Sequence, residues 1–275
     1  MKHKTLCIFL AAAVIALSAC SAFGEGVRLG MLSLARETVR NLGDAEISRT
    51  ALWKVGNIDA HAQGTSYRFY DNLANMLIAL NAGEIDEILA PQFVAEYMSS
   101  VNPELEISCA IRVGGYYLAL GFREKDGEDL RSKFNAALSY MRKYGTLNAI
   151  NHLYSSNPGK DNIAAVRFTE FPGAETIRVA VTGDMPPLDY VGADGEPAGF
   201  NTAILAELGR RLKVNIKPVH VDTAARTAAL VSGRVDAVFW YQFIRGAEVQ
   251  QDAPEGVLFS EPYRESNIFL HVKKK

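Results

Sequence analysis

The sequence predicts an α/β protein built from two similar lobes, and three observations carry that prediction. Segments with strand character alternate with segments of helix character along the 275-residue chain. That alternation is the pattern of mostly parallel sheets flanked by helices. One helix-to-strand unit occurs twice, as Ala79-Leu80-Asn81-Ala82-Gly83-Glu84-Ile85-Asp86-Glu87-Ile88 and as Ala229-Leu230-Val231-Ser232-Gly233-Arg234-Val235-Asp236-Ala237-Val238. In both, a glycine ends the helix where φ must turn positive, and a β-branched residue and an aspartate open the next strand. Between the copies lies the stretch 155–175, marked by Pro158, Gly159, Pro172 and Gly173, which reads as a connection.

Taken in order, residues 27–32 and 67–70 read as strands. Asp71 is placed to cap a helix over 72–81 that Gly83 ends. A short strand at 85–89, a helix at 94–99 and an apolar strand at 115–122 follow. Two amphipathic helices, 130–143 and 147–153, are split by Gly145. After the connection come a strand at 177–182, a turn at 183–187 and a hairpin at 188–191 with Gly192 and Gly195. A helix at 202–212, a strand at 214–219, a helix at 224–231 and strands at 235–240 and 268–272 complete the chain. The stretch 41–64 carries no pattern that assigns it.

The N-terminus has its own logic. Lys2, His3 and Lys4 give a positive start, and 6–17 is almost wholly apolar. That run is shorter than the roughly 20 residues a membrane-spanning helix needs and suits the core of an export signal. Leu17-Ser18-Ala19-Cys20 then resembles a bacterial lipobox, which implies cleavage after residue 19 and lipid attachment at Cys20. The expected location is therefore the cell envelope, periplasmic or on the outer face of the cytoplasmic membrane. Cys7 would leave with the signal, so Cys109, in an apolar setting, is expected as an isolated, inert thiol. A formal charge of −2, with no basic stripe inside the chain, gives nucleic acid no electrostatic footprint. The five histidines fall at no metal-ligand spacing, and no phosphate loop or nucleophile motif occurs. No metal, cofactor or catalytic set is expected.

The second half resembles the first lobe of the bacterial extracellular solute-binding proteins of family 3. The carrying residues are Ile177-Arg178-Val179-Ala180-Val181-Thr182-Gly183-Asp184-Met185-Pro186-Pro187-Leu188-Asp189-Tyr190, then Gly195 and Gly199-Phe200-Asn201. The series continues with Ala229-Leu230, Gly233-Arg234-Val235-Asp236 and Phe259-Ser260-Glu261-Pro262-Tyr263. The first half resembles that family's second lobe and closing helices, through Gly83-Glu84-Ile85-Asp86, Tyr97, Tyr116-Tyr117-Leu118-Ala119-Leu120 and Tyr144-Gly145-Thr146-Leu147. The lobe order is thus reversed, as in a circular permutation. The expected fold is a two-lobed periplasmic-binding-protein-like α/β fold. Its divisions are a signal peptide at 1–19, a second-lobe-like segment at 20–115, a crossover strand and closing helices at 116–154, a linker at 155–175 and a first-lobe-like segment at 176–275. Permutation leaves one covalent crossing between lobes, near 116–122.

The resemblance implies a substrate-binding lipoprotein of an ABC-type importer. It would be a monomer that closes on a small polar or aromatic solute and hands it to permease subunits. A sensory or structural lipoprotein with altered binding is the alternative, and a cyclohexadienyl dehydratase-like enzyme a more distant one. The family's amino-acid binders hold an α-carboxylate with an Arg and a Thr, twelve and nine residues after the strand aspartate. Those positions after Asp236 hold Glu248 and Arg245. The second-lobe Asp for an α-ammonium is replaced by Ala90. The expected solute therefore departs from an ordinary amino acid, since an unpaired buried charge is costly. By the same resemblance Trp240, Tyr241 and Phe243, with Gln242 between them, line a ringed wall suited to aromatic or cationic groups. Asp184 and Met185 lie on a pocket turn, Arg245 offers a substitute carboxylate partner, and Ser33 and Gln92 are candidates from the other lobe.

Overall fold

The structure is a computed structural model and describes residues 27–32, 66–70, 72–156, 158–159, 166–192, 194–222, 225–244 and 254–275. The signal segment, Cys20, Ser33, the stretch 41–64 and Arg245 lie outside the described residues.

In the first half, β1 (Arg28–Leu32) pairs in parallel with β2 (Ser66–Tyr70) and with β3 (Glu87–Pro91). Helix α1 (Leu73–Asn81) precedes β3 and α2 (Gln92–Val101) follows it. Asn72 caps α1 by accepting from the Asn75 amide at 2.8 Å, one residue after the Asp71 that the sequence suggested. Gly83 has φ +72°, as the helix stop requires. The strand β4 (Leu105–Arg123) then runs for 19 residues. Helices α3 (Glu128–Lys143) and α4 (Thr146–Ser155) are separated by Gly145 at φ +79°.

The second half opens on β5 (Thr176–Val181). A small three-stranded sheet follows, made of β6 (Asp184–Met185), β7 (Asp189–Val191) and β8 (Pro197–Ala198). After it come α5 (Phe200–Leu212), β9 (Asn215–His220), α6 (Arg226–Val231) and β10 (Ala237–Ile244). The chain closes on β11 (Val257–Phe259) and β12 (Arg264–Lys274). Among the described residues no helix is long and apolar enough to cross a membrane.

One nine-stranded sheet joins both halves in the order β2-β1-β3-β12-β4-β10-β5-β9, with β11 also on β4. The outer trios β2-β1-β3 and β10-β5-β9 are each parallel. The central strands β12 and β4 are antiparallel to their neighbours. This corrects the expectation of a single crossing. β12 pairs with residues 116–118 of β4 at its start and with 105–112 further on, and then with β3 of the first half. Two strands therefore span the halves. Between Arg112↔Ile268 and Tyr116↔Ser266 the register breaks: the stretch Val113-Gly114-Gly115 on β4 faces Asn267 alone on β12. Extra residues of this kind bend and twist a ladder locally.

Each half carries the same clasp. The Arg28 amide donates to Asp86 Oδ2 at 2.8 Å, its guanidinium to Oδ1 at 2.6 Å, and the Asp86 amide returns to the Arg28 carbonyl at 2.8 Å. Arg178 and Asp236 repeat every one of these bonds, and both pairs are 58 residues apart. The hydrogen bond from Arg28 holds the Asp86 carboxyl below its usual range. Burial pushes Asp236 up, but the bonds from Arg178 outweigh it and the net displacement is downward. The recurring aspartate in the sequence thus ties the start of one strand to the entry of the next.

Apolar packing follows the alternation of the strands. Val179, Ala237 and Phe239 join a large core with Phe200, Ile204, Leu208, Phe134 and Leu138, which continues into Met76, Ile88, Leu89 and Phe93 of the first half. The intervening residues Ala180 and Val238 face a smaller cluster with Val221, Leu230, Val235 and Val257, beneath α6. Cys109 on β4 is disulfide-bonded, where the sequence predicted an isolated thiol.

Candidate functional site

The turn after β5 is built on one carboxylate. Asp189, 1% exposed, accepts from the Thr182 hydroxyl, from the Gly183 amide at 2.7 Å and from Asn201 Nδ2 at 3.1 Å. Asn201 Oδ1 in turn accepts from the Tyr263 hydroxyl at 3.1 Å. Three sequence motifs, around Pro186-Pro187, Gly199-Phe200-Asn201 and Ser260-Glu261-Pro262-Tyr263, therefore meet in one buried hydrogen-bonded chain. Gly199 makes the seating possible. Its φ is +107°, and a Cβ there would lie 2.3 Å from the Leu188 carbonyl oxygen. The amides of Phe200 and Asn201, which have no partner within their own helix, donate to the carbonyls of Pro187 and Leu188.

Beside this chain lies a buried cation that the sequence reading missed. Arg226, the first residue of α6, is 5% exposed. Its Nη1 donates to the Trp240 carbonyl at 2.8 Å, and its guanidinium carbon is 5.1 Å from the centroid of the Trp240 ring system and 5.8 Å from the Tyr241 ring centroid. Burial lowers its pKa, and the influences that oppose this come from Tyr241, Asp189, Tyr263 and Asp184. Those groups favour its charged form, and an arginine stays charged through such a shift. The signal was available: Arg226, Ala229 and Leu230 are the buried residues of α6 and follow the i, i+3, i+4 spacing of a core face. A cation on that face is anomalous.

Several expected site residues gather around Arg226. Asp184 stands at the start of β6, and its carboxyl is pushed above its usual range by burial and by the charge of Asp189, against the hydrogen bond from Thr182 and the charge of His220. Trp240 is 1% exposed and is the extra residue of a bulge, since Phe239 pairs with Leu120 and Tyr241 with Ala119. Among the described residues its indole N–H meets no acceptor. Tyr241 is half-buried; its hydroxyl lies 2.9 Å from Thr227 Oγ1 and its ring packs edge-on to Phe259. It also covers Gly121, where a Cβ would fall 2.3 Å from the ring. Tyr263 stacks on Phe239 at 4.9 Å and completes the aromatic surround.

Other candidates lie elsewhere. Met185 is buried in the main core. Gln92 opens α2 in the other half, and its amide donates to Glu96 Oε1 at 2.7 Å. Gln242 and Phe243 continue β10 opposite Leu118 and Tyr117. Among the described residues no group of His, Cys, Asp and Glu side chains is placed to hold a metal ion.

No curated protein matches the chain. Among solved structures, similarity extends to the ligand-binding component of an ABC-type import system from Staphylococcus aureus with zinc bound. That match has 10% identity and a TM-score of 0.44 and covers 91% of this chain and 66% of that one. The alkanesulfonate-binding protein SsuA from Xanthomonas axonopodis pv. citri, bound to MOPS, matches at 11% identity and TM-score 0.43, over 92% and 67%. The periplasmic aliphatic sulphonate binding protein SsuA from Escherichia coli matches at 14% and 0.40, over 92% and 66%. The chain thus spans about two thirds of the length of these proteins. Residues 177–275 match the model of a family described as bacterial extracellular solute-binding proteins, family 3. That match, to about a third of the chain, takes in the Asp189–Asn201–Tyr263 chain, Asp184, Arg226 and the ringed strand, so residues 177–275 are similar to the bacterial extracellular solute-binding proteins of family 3.

Proposed function

We propose that the protein captures a small acidic solute, with an aromatic or otherwise flat body, between its two halves and delivers it to an ABC-type importer. The observation that carries this reading is Arg226: a buried guanidinium against Trp240 and Tyr241, with Asp184 nearby. A guanidinium offers a planar fork of donors suited to a carboxylate or a similar oxyanion. The Trp240 N–H, without an acceptor among the described residues, supplies a further donor. Asp184 would receive an ammonium where the solute has one. Solute recognition would then run through Arg226 in place of the carboxylate clamp that Arg245 and Glu248 do not reproduce.

The two halves would close about β4 and β12. Their reversed order reads as a permutation of the family's lobes, with 155–175 joining the former ends. The matched clasps Arg28–Asp86 and Arg178–Asp236 support equivalent halves.

Thermal melting with and without candidate solutes tests the reading. At 100 times its dissociation constant a solute adds about 2.7 kcal/mol of stability, a rise of roughly 5–10 °C at this size. Aromatic acids are expected to give the rise and polyamines to give none; the reverse outcome would remove Arg226 from the centre of the site. One observation favours the sensory or structural reading instead. Arg226 already occupies the Trp240 carbonyl, so the wall is partly filled by the protein itself. Folded, solute-free protein that responds to no compound would support that reading.

The chain is further proposed to be exported and anchored through Cys20. Labelled fatty acid should enter the wild-type protein and not Cys20→Ala.

A further inference from the structure

The second crossing strand begins with a side chain that touches both halves. Arg264, the first residue of β12, places its guanidinium carbon 4.2 Å from the centroid of the Phe93 ring and 4.8 Å from that of Phe200. Phe93 belongs to α2, which packs on β3, β4 and β12. Phe200 opens α5, which packs on β9 of the second half and on the helices α3 and α4 that precede it in the chain. Both rings are buried, so the cation is held between two fixed aromatic faces. Its Nη1 donates to Asn151 Oδ1 at 2.9 Å and its Nη2 to Ser155 Oγ at 3.4 Å, which tie it to α4 as well.

Near this stack the sheet is interrupted. The unequal stretch Val113-Gly114-Gly115 against Asn267 interrupts the β4–β12 ladder just after Ser266. Two glycines and an interrupted ladder make that point the place where the halves can rotate. A rotation there carries Phe93 and Phe200 apart, and Arg264 cannot then keep both faces.

We propose that Arg264 is a latch across the hinge, holding the two halves in the arrangement seen by binding one aromatic face from each. The proposal deepens the reading in which the halves close on a solute and rests on it for its consequence: the latch sets how much of the protein is arranged for capture before solute arrives. Lysine does not replace it, because the contact needs a flat cation with a face for each ring.

Hydrogen exchange on the purified full chain, without solute, reads the latch directly. Arg264→Ala and Arg264→Lys are expected to speed exchange about 10-fold at residues 113–118 and 264–268, while amides inside α5 and β9 keep their wild-type rates. Phe93→Leu keeps an apolar side chain in α2 and should show the same local effect. It decides the matter alone if the Arg264 variants do not fold. Unchanged exchange at the hinge, or an equal rise throughout both halves, would overturn the latch. Closure has its own readout. Hinge exchange in the wild type should slow with the solute that raises its melting temperature. If it does not, closure fails while a variant-induced rise still upholds the latch; if it does and the variants match the wild type, the latch fails.

Discussion

Replacing Asp189 by alanine is expected to lower the unfolding free energy by about 3–5 kcal/mol. The carboxylate is 1% exposed and accepts from Thr182, from the Gly183 amide and from Asn201. Alanine leaves those donors buried and without an acceptor, and Asn201, loosened, no longer holds the Tyr263 hydroxyl. Each abandoned donor carries a desolvation cost greater than the net value of the bond it made. The substitution therefore costs more than a count of bonds suggests. Tyr263→Phe removes one hydroxyl and keeps the ring against Phe239, and about 1 kcal/mol is expected. Urea unfolding measures both: the midpoint should fall while the slope stays constant. A loss below about 1 kcal/mol for Asp189→Ala would mean that water satisfies the donors and that the chain does not bind the three motifs together.

Much of this architecture is legible in the sequence because it rests on local signals. Gly83 and Gly145 mark helix boundaries through positive φ, and the Asp86 and Asp236 repeats mark strand entries that the structure shows tied to Arg28 and Arg178. Helix α5 starts at Phe200 rather than 202 because its first amides find carbonyls on the preceding turn, a tertiary contact that no local pattern displays. The same holds for β4. Its stretch 107–111 reads only as apolar, yet the strand runs from Leu105 because β12, from the far end of the chain, supplies its partner. The missing second crossing has that one cause, since β12 was read as a short strand at 268–272 when it spans Arg264–Lys274. Long-range pairing is invisible to periodicity, whereas turn chemistry is not.

The site shows a similar division. The resemblance to solute-binding proteins drew attention to Asp184 and to the run from Trp240; Trp240 and Tyr241 pack against the Arg226 cation, and the charge of Asp184 favours its ionised form. It could not say how the rings would divide. The bulge at Trp240 puts that indole into the main core, while Tyr241 packs with the smaller cluster. Arg226 was passed over because the short, alanine-rich helix Arg226–Val231 attracts no functional motif. Its burial follows from its place on the same face as Ala229 and Leu230.

Arg226→Met is expected to separate binding from stability. Methionine matches the length of the arginine stem and fills the space against Trp240 and Tyr241 without a charge to desolvate. Removing a buried cation whose pKa burial already depresses relieves a cost, so the melting temperature should hold or rise by a few degrees. The solute response should move the other way. A solute acid that loses its buried cationic partner forfeits about 2–5 kcal/mol, which weakens binding roughly 30-fold to several thousand-fold. Asp184 supplies an internal check on that interpretation. Its carboxyl, already raised by burial and by Asp189, loses a nearby positive charge in the variant and should titrate higher still. Calorimetry of solute binding and melting of the same samples read both effects. A variant that melts as before and binds as before would place the solute away from Arg226, whereas one that loses binding and keeps its fold identifies the guanidinium as the group the solute acid meets.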